Sequence, residues 1–165
     1  RGDVVADFGA GHGYFVIPMA HLVGGDGKVY AFDIQNNALA VIRTKAQQEH
    51  LLNIEPVWAD LERQNGSMLR DAFIDVVVVA NILAQVRNKD VLLGEAFRIL
   101  HEEGRLIVIE WDVIHEAVGP SHQDRIRKEA VMESAKKAHF MLVETLLTGA
   151  HHYGLIFKKF KVYKK

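Results

Sequence analysis

The residues best suited to chemistry are a glycine-rich loop and three acids within the first sixty positions. Asp7-Phe8-Gly9-Ala10-Gly11-His12-Gly13 follows a short apolar run and precedes a helical pattern. Glycines at such a junction let the backbone turn sharply and approach a ligand, and the helix start behind them offers free amide hydrogens. The spacing is G-x-G-x-G with Tyr14 next, so the G-x-G-x-x-G of dinucleotide binding is not met. Asp7, placed before the first glycine, suits a ligand carrying an ammonium group rather than a pyrophosphate. Asp33 ends a second apolar run and lies 20 residues past Gly13 (33 − 13), where a carboxylate can accept both hydroxyl hydrogens of a ribose. Asp60 follows a third run in Trp58-Ala59-Asp60-Leu61. Alone it reads as a turn residue or helix cap; with the other two it favours a shared ligand site.

The elements that must position these residues alternate β-rich apolar runs with helical patterns, which predicts an α/β fold with a mostly parallel sheet. Strands are expected over 4–8, 28–33, 54–58, 73–79 and 105–111, the fourth with four consecutive valines. A helix is expected from Tyr14 to Leu22, with Pro18 kinking it or restarting it. The next is capped by Asn36 or Asn37 and buries Ala38, Ile42, Ala46 and the stem of Glu49. Asn88 caps a third, with Leu92, Ala96, Ile99 and Leu100 on its face and Gly104 after its end. Residues 112–123 read as a loop. A last helix presents Ile126, Ala130, Val131, Ser134 and Ala138, and two strands, 140–147 and 153–157, close the chain around a turn at Gly149. No repeat or linker interrupts this order, so residues 1–165 are expected to form one domain.

Composition limits the function. Hydrophobic residues make up 49% and charged residues 25% of 165, which excludes intrinsic disorder. Lys plus Arg number 20 against 21 acids, so there is no strong general attraction to nucleic acid or anionic membrane. No apolar run approaches the roughly 18 residues of a membrane span. Cysteine is absent, removing disulfides, thiolate metal sites and cysteine nucleophiles. The expected compartment is the cytoplasm.

Five strand–helix units followed by a helix and a closing strand pair resemble the Rossmann-like sheet of class I S-adenosylmethionine-dependent methyltransferases, mostly parallel with an antiparallel last strand. The chain is similar to the ubiquinone/menaquinone-biosynthesis-like (type 11/25-like) group from Val4 to about Lys158. The resemblance is carried by Asp7 to Gly13, Ala31-Phe32-Asp33, Ala59-Asp60, Phe73-Ile74-Asp75-Val76-Val77 through Asn81-Ile82-Leu83, Gly104-Arg105-Leu106 and His152-Tyr153-Gly154-Leu155. It implies S-adenosyl-L-methionine as cofactor and S-adenosyl-L-homocysteine as product. Gly9, Ala10 and Gly11 would lie against the methionine moiety, with Asp7 near its ammonium. Asp33 would hold the ribose, Ile34 would cover the adenine, Asp60 would bind the exocyclic amine beside Leu61, and Asn81 would line the floor beneath the sulfonium. Asp75 takes a structural role. An NAD-dependent oxidoreductase is the less favoured reading: both families use an acid at the Asp33 position, but the glycine spacing and the closing strands disfavour it.

The sequence departs from the family pattern in three places. The helices that usually cap the substrate side do not precede the first strand, so either the sequence is trimmed or the cleft is open, and an open cleft predicts weak turnover unless the 112–123 loop or a second subunit, as in a homodimer, covers it. A cofactor-binding but weakly active domain needing a partner is therefore the alternative to a full enzyme. His139 stands where glycine is common, and Glu102-Glu103-Gly104 replaces a Pro-Gly turn.

Methyl transfer from a sulfonium mainly needs orientation and desolvation of the nucleophile. Where a base is required, the candidates are Glu110, Asp112, His115, His151 and His152, each weak because nine histidines place several near any cleft. No metal is expected, since His151-His152 lacks further ligands at convincing spacing. Asn81-Ile82-Leu83-Ala84 is not the (Asp/Asn)-Pro-Pro-(Tyr/Phe) turn of amino methyltransferases acting on bases, and cysteine-dependent acceptors are excluded. A small-molecule acceptor remains, with Trp111, Val113 and Ile114 suiting an aromatic or lipid-like compound. The lysine-rich end from Lys158 reads as a solvated, charge-protected strand end.

Overall fold

The computed structural model describes residues 1–113 and 118–160. Seven strands form one sheet: β1 (Val4–Phe8), β2 (Lys28–Asp33), β3 (Ile54–Trp58), β4 (Ile74–Ala80), β5 (Leu100–Trp111), β6 (Phe140–Leu146) and β7 (His152–Lys159). Their order is β3-β2-β1-β4-β5-β7-β6. The first five are parallel, whereas β7 runs antiparallel between β5 and β6. This α/β arrangement is the one the alternating pattern and the closing strand pair predict.

Continuous apolar strands are required because both faces are covered. Helices α1 (Val16–Val23) and α2 (Asn36–Gln48) pack Val16, Ala20, Leu39 and Ile42 against Val5, Val29, Ala31 and Val78. On the other face α3 (Lys89–Ile99) and α4 (Lys128–Lys137) cover Phe8, Phe32, Val77, Val79, Leu106 and Leu155. The alternation within β1, Ala6 and Phe8 on one side and Val5 on the other, feeds the two cores from a single strand.

Several expected boundaries shift. Helix α1 starts at Val16 rather than Tyr14, because Gly13 to Phe15 belong to the turn. Pro18 then falls in the first helical turn, where its missing N–H would have had no helical partner, so it is tolerated there. The cap of α2 is Gln35, without a side-chain bond; the Asn37 side chain accepts only from the adjacent Ala38 amide, and Asp33 accepts from Gln35 N–H instead. Leu39 replaces Glu49 on the buried face of α2, Glu49 being exposed and paired with His21 at 2.8 Å.

Asn88 caps α3 as expected, accepting from Val91 N–H at 3.3 Å. Strand β5 begins already at Leu100, opposite Ile74, and 101–104 bulge outward before Arg105 meets Val76. In α4 the buried residues are Val131 and Ala135, while Ala130 is exposed. The 112–123 loop contains a short 3-10 turn at His122–Asp124. His139 takes a left-handed φ of 63°, the conformation glycine would adopt more cheaply after a helix. Asp75 is structural: it accepts from Val4 N–H at 2.7 Å and pairs with His101 at 2.8 Å.

Candidate active site

The glycine loop, the end of β2 and the end of β4 meet where the parallel strands finish. Gly9 and Ala10 both donate to the Phe32 carbonyl at 2.9 Å, which folds the loop back over β2. Gly9 has φ 76°, and a Cβ there would lie 2.5 Å from Ile82 Cγ2, so only glycine admits the β4–α3 loop this close. Gly11, at φ 50°, has open space on the side where a Cβ would project. Its amide donates to Asp33 Oδ2 at 2.8 Å, and Asp33 Oδ1 accepts from Gln35 N–H at 2.8 Å. Asp33 thus braces the glycine loop against the start of α2.

These residues border a cleft of about 430 Å³, within the usual range for small-molecule sites. Gly9, Gly11, Asp33, Ile34, Asp60, Leu61 and Asn81 line it. Ile34 is 56% exposed, and its carbonyl is held by the Trp58 indole N–H at 2.8 Å. Asp60 pairs with Arg63 at 2.8 Å and accepts from Glu62 N–H. Asn81 sits at φ 58°, a strained value for a residue with a Cβ, and its Oδ1 is buried without a hydrogen-bond partner among the described residues. Two further clefts, each of about 550 Å³, lie elsewhere, one beside Gly24–Lys28 and His50, the other between α4 and β6. Size alone would favour them, but neither joins the glycine loop to the acids at the strand ends.

Two of the sequence-selected residues stand behind the cleft instead of lining it. Ala10 is buried in the core with its amide bound to Phe32. Asp7 is 2% exposed on β1, and among the described residues none donates a hydrogen bond to its carboxylate. Burial, and secondly the charge of Asp33, push its pKa up to about 7.

The expected bases do not gather in the cleft. Glu110 is 1% exposed on β5 and accepts from Leu83 N–H at 2.7 Å. Burial pushes it up to about 7, against the pull of the Leu83 and Ile82 backbone and of Lys89. Asp112 accepts from Val113 N–H, and its own amide donates to the His151 carbonyl at 2.8 Å. His152 lies 4.0 Å from the Trp111 ring, its pKa lowered first by burial and then by His151 and Arg125. His151 is half-buried beside it, and His115 and Ile114 lie outside the described residues. Polar groups at the end of β5 are therefore largely committed to neighbouring backbone and rings.

Sequence reasoning did not select Glu62, Gln85 or Ile82. Glu62 lines the cleft and accepts from Arg87 and Asn88 N–H at 2.9 and 2.8 Å, tying the β3 side to the start of α3. The Gln85 side chain donates to Asn81 O. Only the spacing from Asp60 could have drawn attention to Glu62. Among the described residues no group of three or more acids and histidines is placed to hold a metal ion, and no helix is long and apolar enough to cross a membrane.

Comparison with known proteins decides between the families that use an acid at the end of β2. A family model described as a methyltransferase domain matches residues 1–163. The chain belongs to that family. Over 111 residues, 67% of this chain and 42% of the relative, the domain is 33% identical to a ubiquinone/menaquinone biosynthesis C-methyltransferase UbiE of Vibrio campbellii. A protein of the same name from Shewanella sp. (strain W3-18-1) is 32% identical over 111 residues, 67% of this chain and 43% of the relative. The matched part of the methyltransferase domain thus spans about two fifths of these curated relatives. Its fold is shared with a SAM dependent methyltransferase from Aquifex aeolicus, with a TM-score of 0.88, 22% identity, and coverage of 95% of this chain and 82% of that one.

Proposed function

We propose that the methyltransferase domain holds S-adenosyl-L-methionine in the cleft at the ends of β1, β2, β3 and β4 and methylates a small-molecule acceptor. The observation that carries this reading is the convergence of Gly9, Gly11, Asp33, Asp60 and Asn81 on one cleft, with a buried carboxylate, Asp7, behind it that accepts no hydrogen bond from the described residues. A buried acid without donors is unfavourable unless a cation compensates it, so the ligand fits best if it presents an ammonium group on that side. The unpartnered Asn81 Oδ1 calls for a donor in the same way.

In this reading Asp33 accepts the ribose hydroxyls, Asp60 faces the adenine amine, and Ile34 and Leu61 cover the ring. Gly9 and Gly11 leave room along the methionine portion, and Asn81 forms the floor at the reactive end. When bound, S-adenosylmethionine supplies a methyl group already activated by a positive sulfur. The chain's task is then to fix the acceptor in line and exclude water. The apolar floor residues Ala80, Ile82, Val86 and Leu92 support that task by keeping the cleft poorly solvating. The names of the UbiE relatives support carbon as the acceptor atom.

Mass spectrometry of ligands carried through purification, followed by methyl-transfer assays over a panel of aromatic and lipid-like acceptors, tests the reading. Co-purified adenosyl ligand and turnover of a small acceptor are expected. A carried nicotinamide nucleotide, or transfer only to protein or nucleic acid, would replace it.

A further inference from the structure

We infer that Glu110 is a positioning residue, which fixes the Asn81–Leu83 loop beneath the reactive end of the cleft through the backbone of that loop. The inference rests on the reading of the cleft as the S-adenosylmethionine site. Glu110 is 1% exposed and absent from the cleft lining, so its carboxylate cannot serve a ligand there directly. Its Oε1 instead accepts from Leu83 N–H at 2.7 Å. The residues so held occupy a special place. Asn81 has a left-handed φ of 58° and a buried, unpartnered Oδ1, and Ile82 fills the notch left by the missing Cβ of Gly9. The Asn81 amide is itself bound to the Ile109 carbonyl at 2.8 Å, so the loop is fastened to β5 at both ends.

A buried carboxylate is a costly way to hold the amides of a loop, and a neutral side chain would be cheaper if stability alone were selected. The groups that face Glu110 do little to offset its charge. Tyr153 stands opposite on β7, with its hydroxyl committed to the Ile126 carbonyl, and Lys89 at the start of α3 supplies a favourable but distant charge. Asp112, just past the end of β5, is a like charge whose field, with that of Glu110, reaches Tyr153. The carboxyl is correspondingly held up to about 7 by burial. With its folded value above the usual carboxylate range, Glu110 contributes stability fully present below about 4.5, and that contribution is lost as pH rises through about 7. At pH 8 it is ionised, grips the Leu83 amide most strongly, and weakens the fold. A residue that trades stability for grip on a strained loop marks a functional constraint.

The test compares wild type, Glu110→Gln and Glu110→Ala by three measurements. Amide resonances of Ile82 and Leu83 are followed with pH in ligand-free protein. Melting temperatures are taken at pH 6 and 8, and affinity for S-adenosylmethionine is measured at pH 8. The inference predicts that both resonances titrate near neutrality in wild type and stay fixed in Glu110→Gln. It predicts that Glu110→Gln melts no lower than wild type at pH 8 and binds about threefold more weakly, because its amide oxygen still accepts from Leu83 but without the charge. Glu110→Ala loses about tenfold, the effect of one charge-assisted hydrogen bond. Resonances that do not titrate in wild type overturn the inference, as does a folded Glu110→Ala with wild-type affinity. If wild type binds no S-adenosylmethionine, the cleft reading fails separately, and the resonance titration alone decides whether Glu110 holds the loop. Should Glu110→Ala not fold, the glutamine variant and the titration still discriminate.

Discussion

In the proposed site, Asp7 should make cofactor binding depend on pH. Its carboxyl is raised from 3.8 to about 7, first by burial and then by the charge of Asp33. Three pH units correspond to about 4 kcal/mol, an upper figure for the cost of ionising a fully buried acid here. The folded value lies above the unfolded one, so Asp7 contributes stability that is complete below about pH 4 and lost as pH rises through about 7. An ammonium group arriving in front of it favours the ionised form, and binding below pH 7 must then release a proton. Affinity for S-adenosylmethionine should fall towards one decade per pH unit below pH 7, about 50-fold in all between pH 7 and 5. Asp7→Asn carries no such proton. It should bind about tenfold more weakly at pH 7.5, since a neutral amide replaces a charge-assisted partner, and show a shallower profile. Calorimetric titration of both proteins across this range, reported as the ratio of their constants, cancels the parallel titration of Glu110. Equal slopes in the two proteins, or wild-type affinity in Asp7→Asn, would refute the assignment of Asp7 to the ammonium side.

Asp33→Ala should weaken cofactor binding by about 2–3 kcal/mol, because it removes the ribose acceptor and releases the Gly11 and Gln35 amides that it now holds; dissociation constants report this directly. Asp60→Ala should cost less in the same assay, as its carboxylate is already shared with Arg63 at the surface. Gly9→Ala should lower stability by about 1–3 kcal/mol, since its Cβ meets Ile82 at 2.5 Å in a left-handed backbone. Adding Ile82→Ala should return part of the lost melting temperature but not the part due to φ.

The strands and their order were legible because each is a short apolar run buried on two faces, and the reversed last strand followed from the order of elements. The glycine loop with Asp33, Asp60 and Asn81 was legible because backbone freedom and acids at strand ends leave a distinct pattern. The start of α1 was misplaced because Tyr14 and Phe15 fit a helical stripe equally well inside a turn. The role of Glu110 was hidden for a different reason. A strand-end acid can face a ligand or a neighbouring amide, and only the Leu83 contact, 27 residues away in sequence, distinguishes them. Ala10 and Asp7 stand behind the cleft lining, a placement that the sequence pattern around the glycine loop does not distinguish from a place within it.

The most direct test of the account is calorimetric titration of the protein with S-adenosylmethionine, S-adenosylhomocysteine and NAD under one set of conditions. The account predicts one-to-one binding of both adenosyl ligands, weakened in Asp33→Ala, and no comparable binding of NAD. Tighter binding of NAD than of either adenosyl ligand would contradict it.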